Sequence, residues 1–151
     1  MSERRVVLLK NPPEMLAAMN DLEAKVKAYA RSAGIADGFL HLLKLRASQI
    51  NQCSYCVRLH TRDALDAGES SDRISLIAAW EESDYFDDKE RASLALLEAI
   101  TLIADGQVPA DIYRAAAEAL SEEELAAVEW IAVSINTWNR IAISSRTSVR
   151  P

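Results

Sequence analysis

Asn51-Gln52-Cys53-Ser54-Tyr55-Cys56-Val57-Arg58-Leu59-His60 holds the only two cysteines of the 151-residue chain, spaced C-x-x-C, with a histidine four residues after the second. Read as a helix, the stretch puts Cys53, Cys56 and His60 on one stripe, because steps of three and four residues return to the same helical face. Thioredoxin-like proteins instead place such a pair after a strand, in an α/β fold. No segment of this chain sustains a period-two pattern bounded by turn residues, so no strand is expected and the stretch reads as helical.

Upstream, Asp37-Gly38 punctuates the chain, and Phe39, Leu40, Leu42, Leu43, Leu45 and Ile50 supply a largely buried helix. Asn51 is the expected break and the expected N-cap of a helix from about Gln52 to Ala67, with Gly68 just past its end. Further back, Asn11-Pro12-Pro13-Glu14 signals a helix entry, and Met15, Leu16, Met19, Leu22, Val26 and Tyr29 recur at helical steps as far as Gly34. The opposite side carries Asp21, Glu23, Lys25, Lys27 and Arg31, which read as a solvated face without a functional role.

Downstream, Ser70 or Ser71 opens a short helix through Trp80 that the acidic cluster Glu81-Glu82-Ser83-Asp84 ends. Asp87 or Asp88 opens another, running through Leu102 and ending before Gly106. Pro109 falls where the first turn of an alanine-rich helix begins. Ser121-Glu122-Glu123-Glu124 fits a capping box and introduces Leu125 to Ile143, apolar on more than one side. Such a helix is central or lies at a subunit interface, and a homo-oligomer is expected. The fold class is therefore all-α, six or seven helices in a single domain spanning residues 1–151.

A net charge of −6 argues against a phosphate-binding surface, so no nucleic-acid partner is expected. The amino terminus does not read as a signal peptide, and no apolar stretch approaches the roughly 18 residues needed to cross a bilayer. A cytoplasmic protein without membrane contact is the expectation. In that reducing compartment a close cysteine pair points to catalysis or metal binding rather than a permanent staple.

A thiolate near a helix N-terminus or beside an imidazole is stabilised, and it can attack a peroxide to become a sulfenic acid. A thiol three residues away can condense with that acid to a disulfide, which an external dithiol must then reduce. Haem attachment is disfavoured, since Val57 rather than histidine follows Cys56.

Leu45-Arg46-Ala47-Ser48-Gln49-Ile50-Asn51-Gln52-Cys53-Ser54-Tyr55-Cys56 with His60 resembles the core of AhpD-type alkylhydroperoxidases, a superfamily that also contains the carboxymuconolactone decarboxylases. The likeness continues through Ala79-Trp80-Glu81-Glu82-Ser83, Phe86, Glu90-Arg91-Ala92 and Ile135-Asn136-Thr137-Trp138-Asn139-Arg140-Ile141, covering about residues 15–146. The resemblance implies an AhpD-like helical bundle assembled as a trimer or hexamer that reduces hydroperoxides. It implies Cys56 as the attacking (peroxidatic) cysteine, Cys53 as the resolving one and His60 as a proton relay. A lipoyl- or thioredoxin-like dithiol is the expected reductant, with no bound cofactor or metal. Where the family commonly carries a relay glutamate, this chain has His41, which could accept and donate protons but cannot supply a negative charge near neutral pH. Glu81, Glu82, Glu90 and Glu98 are the carboxylates that another helix could bring in its place.

Three alternatives stand beside the peroxidase. His41, Cys53, Cys56 and His60 could form a two-cysteine, two-histidine metal site, although a domain of this size needs no metal to fold. A lactone decarboxylase has no need of two neighbouring thiols. A disulfide reductase or adaptor would use the same dithiol without a peroxide. Tyr55 and Trp138 are expected to be packing residues.

Overall fold

The computed structural model describes residues 4–151. Seven α-helices follow in order: α1 (Pro13–Ser32), α2 (Asp37–Ile50), α3 (Ser54–Asp66), α4 (Ser71–Leu76), α5 (Asp88–Thr101), α6 (Ala110–Ala119) and α7 (Glu122–Ser144), with a 3-10 turn (Ile77–Glu82) after α4. There is no strand among the described residues. None of the described helices is long and apolar enough to cross a membrane.

The helix limits follow from local chemistry. Pro13 starts α1 with its ring at a position that needs no amide hydrogen, and Gly34, at φ +89°, takes the left-handed conformation that ends it. Capping boxes open α5, through Asp87 and Glu90, and α7, through Ser121 and Glu124. Pro109 is the N-cap of α6 rather than part of its first turn. The expected helix from Ser70 to Trp80 tightens into the 3-10 turn after Leu76. Arg91 holds that turn in place, its guanidinium donating to the carbonyls of Trp80, Ser83 and Glu81.

Helix α2 is the hub. Leu40, Leu42, Leu43 and Leu45 are all buried, so its apolar residues face several neighbours at once, and α3, α5 and α7 pack around it. Helix α7 also packs on α1 and α5. Its Val128, Ile131 and Ile135 are buried, yet Trp130 and Val133 remain 49% and 44% exposed. The apolar character of α7 on two sides is therefore only half used within one chain.

Between α2 and α3 the chain departs from the expected cap. Asn51 closes α2 instead of opening α3, its N–H bonding to the Ala47 carbonyl, and Gln52 then reverses the chain at φ 58°. With Asn51 spent on α2, Cys53 becomes the N-cap of α3, its Sγ accepting from the Cys56 N–H at 3.3 Å. The Asn51 side chain is claimed by α7: its Nδ2 donates to Asn136 and Asn139 Oδ1, both at 2.9 Å, while Asn139 Nδ2 donates to Ser48 Oγ at 3.0 Å. These bonds clip the cysteine-bearing junction to the last helix, since a buried amide left unpaired would be costly.

Candidate active site

Cys53 and Cys56 are joined as a disulfide at the start of α3. Both are buried, at 2% and 4% exposure, and they pack against Ala142 of α7. A cleft of about 410 Å³ opens beside them between α1, α3, α7 and Leu9 of the leading segment. Cys56 lines this cleft and Cys53 does not. Leu9, Leu16, Leu59 and Trp138 form its apolar walls, and Tyr55 also lines it. Tyr55 and Trp138 therefore face the cleft rather than serving packing alone.

His60 also lines the cleft, although it is only 7% exposed. Burial pushes its pKa down to about 3, and the positive charge of Lys44 pushes the same way. His41 lies behind it, the two rings stacked with centroids 5.7 Å apart. Burial lowers the pKa of His41 as well, against the opposing pull of Asp63. Both imidazoles are thus neutral at pH 7, and neither Nδ1 finds a hydrogen-bond partner. Asp63 Oδ2 stands 3.7 Å from His60 Nδ1 and 3.8 Å from His41 Nδ1.

The carboxylates of the site are not those the sequence offered. Glu90 is bound to Arg73, and Glu98 to Arg46 and Trp80; Glu81 and Glu82 are exposed at the end of the 3-10 turn. Asp63 and Glu23 line the cleft instead. Glu23 and Lys27 do not belong to the solvated face expected along α1: both reach the cleft, and Glu23 pairs with Lys44 of α2, which is 0% exposed. Ser134 Oγ and Trp138 Nε1 donate to the other Glu23 oxygen at 2.6 and 3.1 Å. Burial alone would raise the pKa of Glu23, but the Lys44 charge and these hydrogen bonds outweigh it and bring it down to about 2. Two signals were available: a lone lysine inside an apolar helix demands an anion, and Asp63 follows His60 by one helical step.

His60 makes stability depend on pH with a definite sign. Its folded pKa of about 3 lies below the ordinary 6.5, so between those values the unfolded chain binds a proton that the folded chain does not. This contribution is fully present above pH 6.5 and is lost as pH falls toward 3; Glu23 adds a loss of the same sign from 4.5 down to about 2. Urea unfolding should show stability falling by about 3 kcal/mol from pH 7 to 4.5, with most of that slope absent in His60→Asn. Equal slopes in the two proteins would contradict the assignment.

An all-helical bundle presenting a C-x-x-C disulfide at a helix start, with histidine one turn on, defines a dithiol protein on a helical scaffold. The chain belongs to the carboxymuconolactone decarboxylase family, whose sequence pattern matches residues 13–99, and so to the AhpD-like superfamily. It is 37% identical over 141 residues to the uncharacterized protein YdfG of Bacillus subtilis strain 168, covering 93% of each chain. It is also similar to the crystal structure of a protein of unknown function from Agrobacterium tumefaciens, for which an antioxidant defence role of the AhpD type is suggested. That match has a TM-score of 0.87 at 36% identity and covers 99% of both chains.

Proposed function

We propose that the protein is a thiol-dependent peroxidase that reduces organic hydroperoxides through a Cys53/Cys56 dithiol cycle. The observation that carries this reading is a disulfide of which only Cys56 borders an apolar-walled cleft shared with a buried, neutral histidine. In the reduced protein Cys56 passes its thiol proton to His60 and attacks a peroxide oxygen. A sulfur–oxygen bond forms, the oxygen–oxygen bond breaks, and His60 returns the proton to the departing alkoxide, giving an alcohol. So low a proton affinity makes His60 a weak base toward the thiol and a strong acid toward the alkoxide, so it holds the proton only in passing between the two. The Cys53 thiol then attacks the Cys56 sulfenic acid, closing the disulfide and releasing water.

Reduction runs through the same face. A donor thiolate entering the cleft attacks Cys56 sulfur and expels Cys53 as a thiolate, which the Cys56 N–H is placed to stabilise, since that N–H already points at Cys53 Sγ. The donor's second thiol then attacks its own sulfur in the mixed disulfide, freeing Cys56 and leaving the donor as a disulfide. The donor is an external lipoyl- or thioredoxin-like dithiol, and the setting is the reducing cytoplasm. His41 joins the relay only through its stacking on His60.

The test is peroxide consumption supported by several dithiol donors, with the Cys53–Cys56 bridge followed by mass. Turnover of an alkyl hydroperoxide with the bridge forming and reopening is expected. If the bridge cycles with donors but ignores peroxides, the disulfide-reductase reading replaces this one.

The protein is further read as a trimer or hexamer. Exposed Trp130 and Tyr29 flank an apolar groove with Leu22 and Val26, and Val133 lies beside them on α7. Such a patch is what a second copy would cover. Sedimentation at micromolar concentration should give a trimer or hexamer, and Trp130→Glu should shift it toward monomer; a wild-type monomer would refute the assembly.

A further inference from the structure

We propose that His41, His60 and Asp63 form a binding site for a divalent transition-metal cation at the inner end of the cleft. One ligand atom from each residue lies within 4.8 Å of the other two. Separately from that clustering, Nδ1 of both histidines is buried without a hydrogen-bond partner, and both face the same carboxylate oxygen at 3.7 and 3.8 Å. Those separations are too long for a direct hydrogen bond. They suit three ligands of one ion: with bonds of about 2.0–2.2 Å to each, the set closes by roughly an ångström of side-chain rotation. An ion there would satisfy both orphaned nitrogens at once, and since His60 would then hold its one proton on Nε2 and could accept no other, the metal-loaded protein would be unable to run the proton relay proposed above.

The surroundings agree. Metal binding requires an unprotonated nitrogen from each imidazole, and both Nδ1 atoms are buried with no hydrogen-bond partner to compete for them. The charges acting on the two histidines are Lys27 and Lys44 on one side and Glu23, Asp37 and Asp63 on the other; Asp37 is held by Arg31 and Glu23 by Lys44, so Asp63 is the carboxylate that meets a dication. Lys44 opposes a cation, and its pairing with Glu23 offsets that. Asp63, 33% exposed along its side chain and lining the cleft, provides the way in. Two imidazoles and one carboxylate select zinc, cobalt, nickel or ferrous iron over calcium or magnesium, and leave positions open toward the cleft. This set excludes the cysteines, which the disulfide withholds, and so differs from the two-cysteine, two-histidine site weighed from the sequence.

The test uses the oxidised full chain, which lacks a free thiol, so its outcome is independent of peroxidase activity. Zn²⁺ titrated against a chromophoric chelator should bind one ion per chain. Co²⁺ should give visible bands of nitrogen and oxygen ligation with no sulfur-to-metal charge transfer. His41→Ala and Asp63→Asn should each weaken binding by about tenfold or more, while the Cys53→Ser/Cys56→Ser protein binds as wild type. Because a substitution in this buried cluster can disturb folding, ¹⁵N-histidine spectra of the wild type supply a variant-free readout, in which Co²⁺ must perturb both His41 and His60. Absence of stoichiometric binding at micromolar metal, unchanged affinity in both ligand variants, loss confined to the cysteine variant, or a response from only one ring would each overturn the site.

Discussion

Cys56→Ser should lose peroxide consumption by about 10³-fold or more, while Cys53→Ser should consume roughly one equivalent per chain and then stop. The asymmetry follows from position. Cys56 lines the cleft, so its sulfur is the one a peroxide can meet, whereas Cys53 lies behind it as the N-cap of α3. Without Cys53 the Cys56 sulfenic acid has no neighbouring thiol to condense with, and a sulfenate-trapping reagent should label Cys56 alone. Without Cys56 nothing in the cleft attacks. Stopped-flow peroxide loss combined with intact mass separates the two cases. The division of labour fails if Cys53→Ser is the inactive variant and Cys56→Ser turns over.

Glu23→Gln should destabilise the protein by about 3–5 kcal/mol, because it leaves the Lys44 ammonium buried without its counter-charge. Lys44→Met should cost less: Glu23 then keeps Ser134 and Trp138 as donors and retains some exposure to the cleft. The double variant should recover much of the loss, giving a strongly non-additive cycle in urea unfolding. Lys44→Met should also raise the pKa of His60, since it removes a positive charge that now holds it down, and histidine NMR titration reads this directly. Two single variants within about 0.5 kcal/mol of wild type would show that the pair is not structurally important.

The link from Glu23 to His60 explains why the candidate site was only partly legible. The spacing of Cys53, Cys56 and His60 is legible in the chain itself, and His41 stands at the position where the family commonly carries glutamate. The carboxylates nominated in its place, from Glu81 to Glu98, all lie elsewhere, bound to arginines or exposed. By its position along α1, Glu23 looks like Asp21 and Lys25, which do form an exposed pair. A helical wheel cannot separate Glu23 from them, because it describes one helix and not the rotation of that helix against α2 and α7. Asn51 shows the same limit in miniature. Its type suited a cap of α3, but α7 lay within reach and claimed its side chain.

Helix periods, the helix start at Asp87, the capping box at Ser121, the glycine stops at Gly34 and Gly68, and the helical spacing of Cys56 and His60 were determined by sequence alone. Each depends on residues within a turn or two of one another, where backbone geometry leaves little choice. Tertiary structure alone decided which cysteine meets the cleft, which carboxylates stand beside the histidines, and that both imidazoles are neutral. Those properties depend on burial and on charges carried by separate helices, and they exist only once α1, α2, α3 and α7 have packed together.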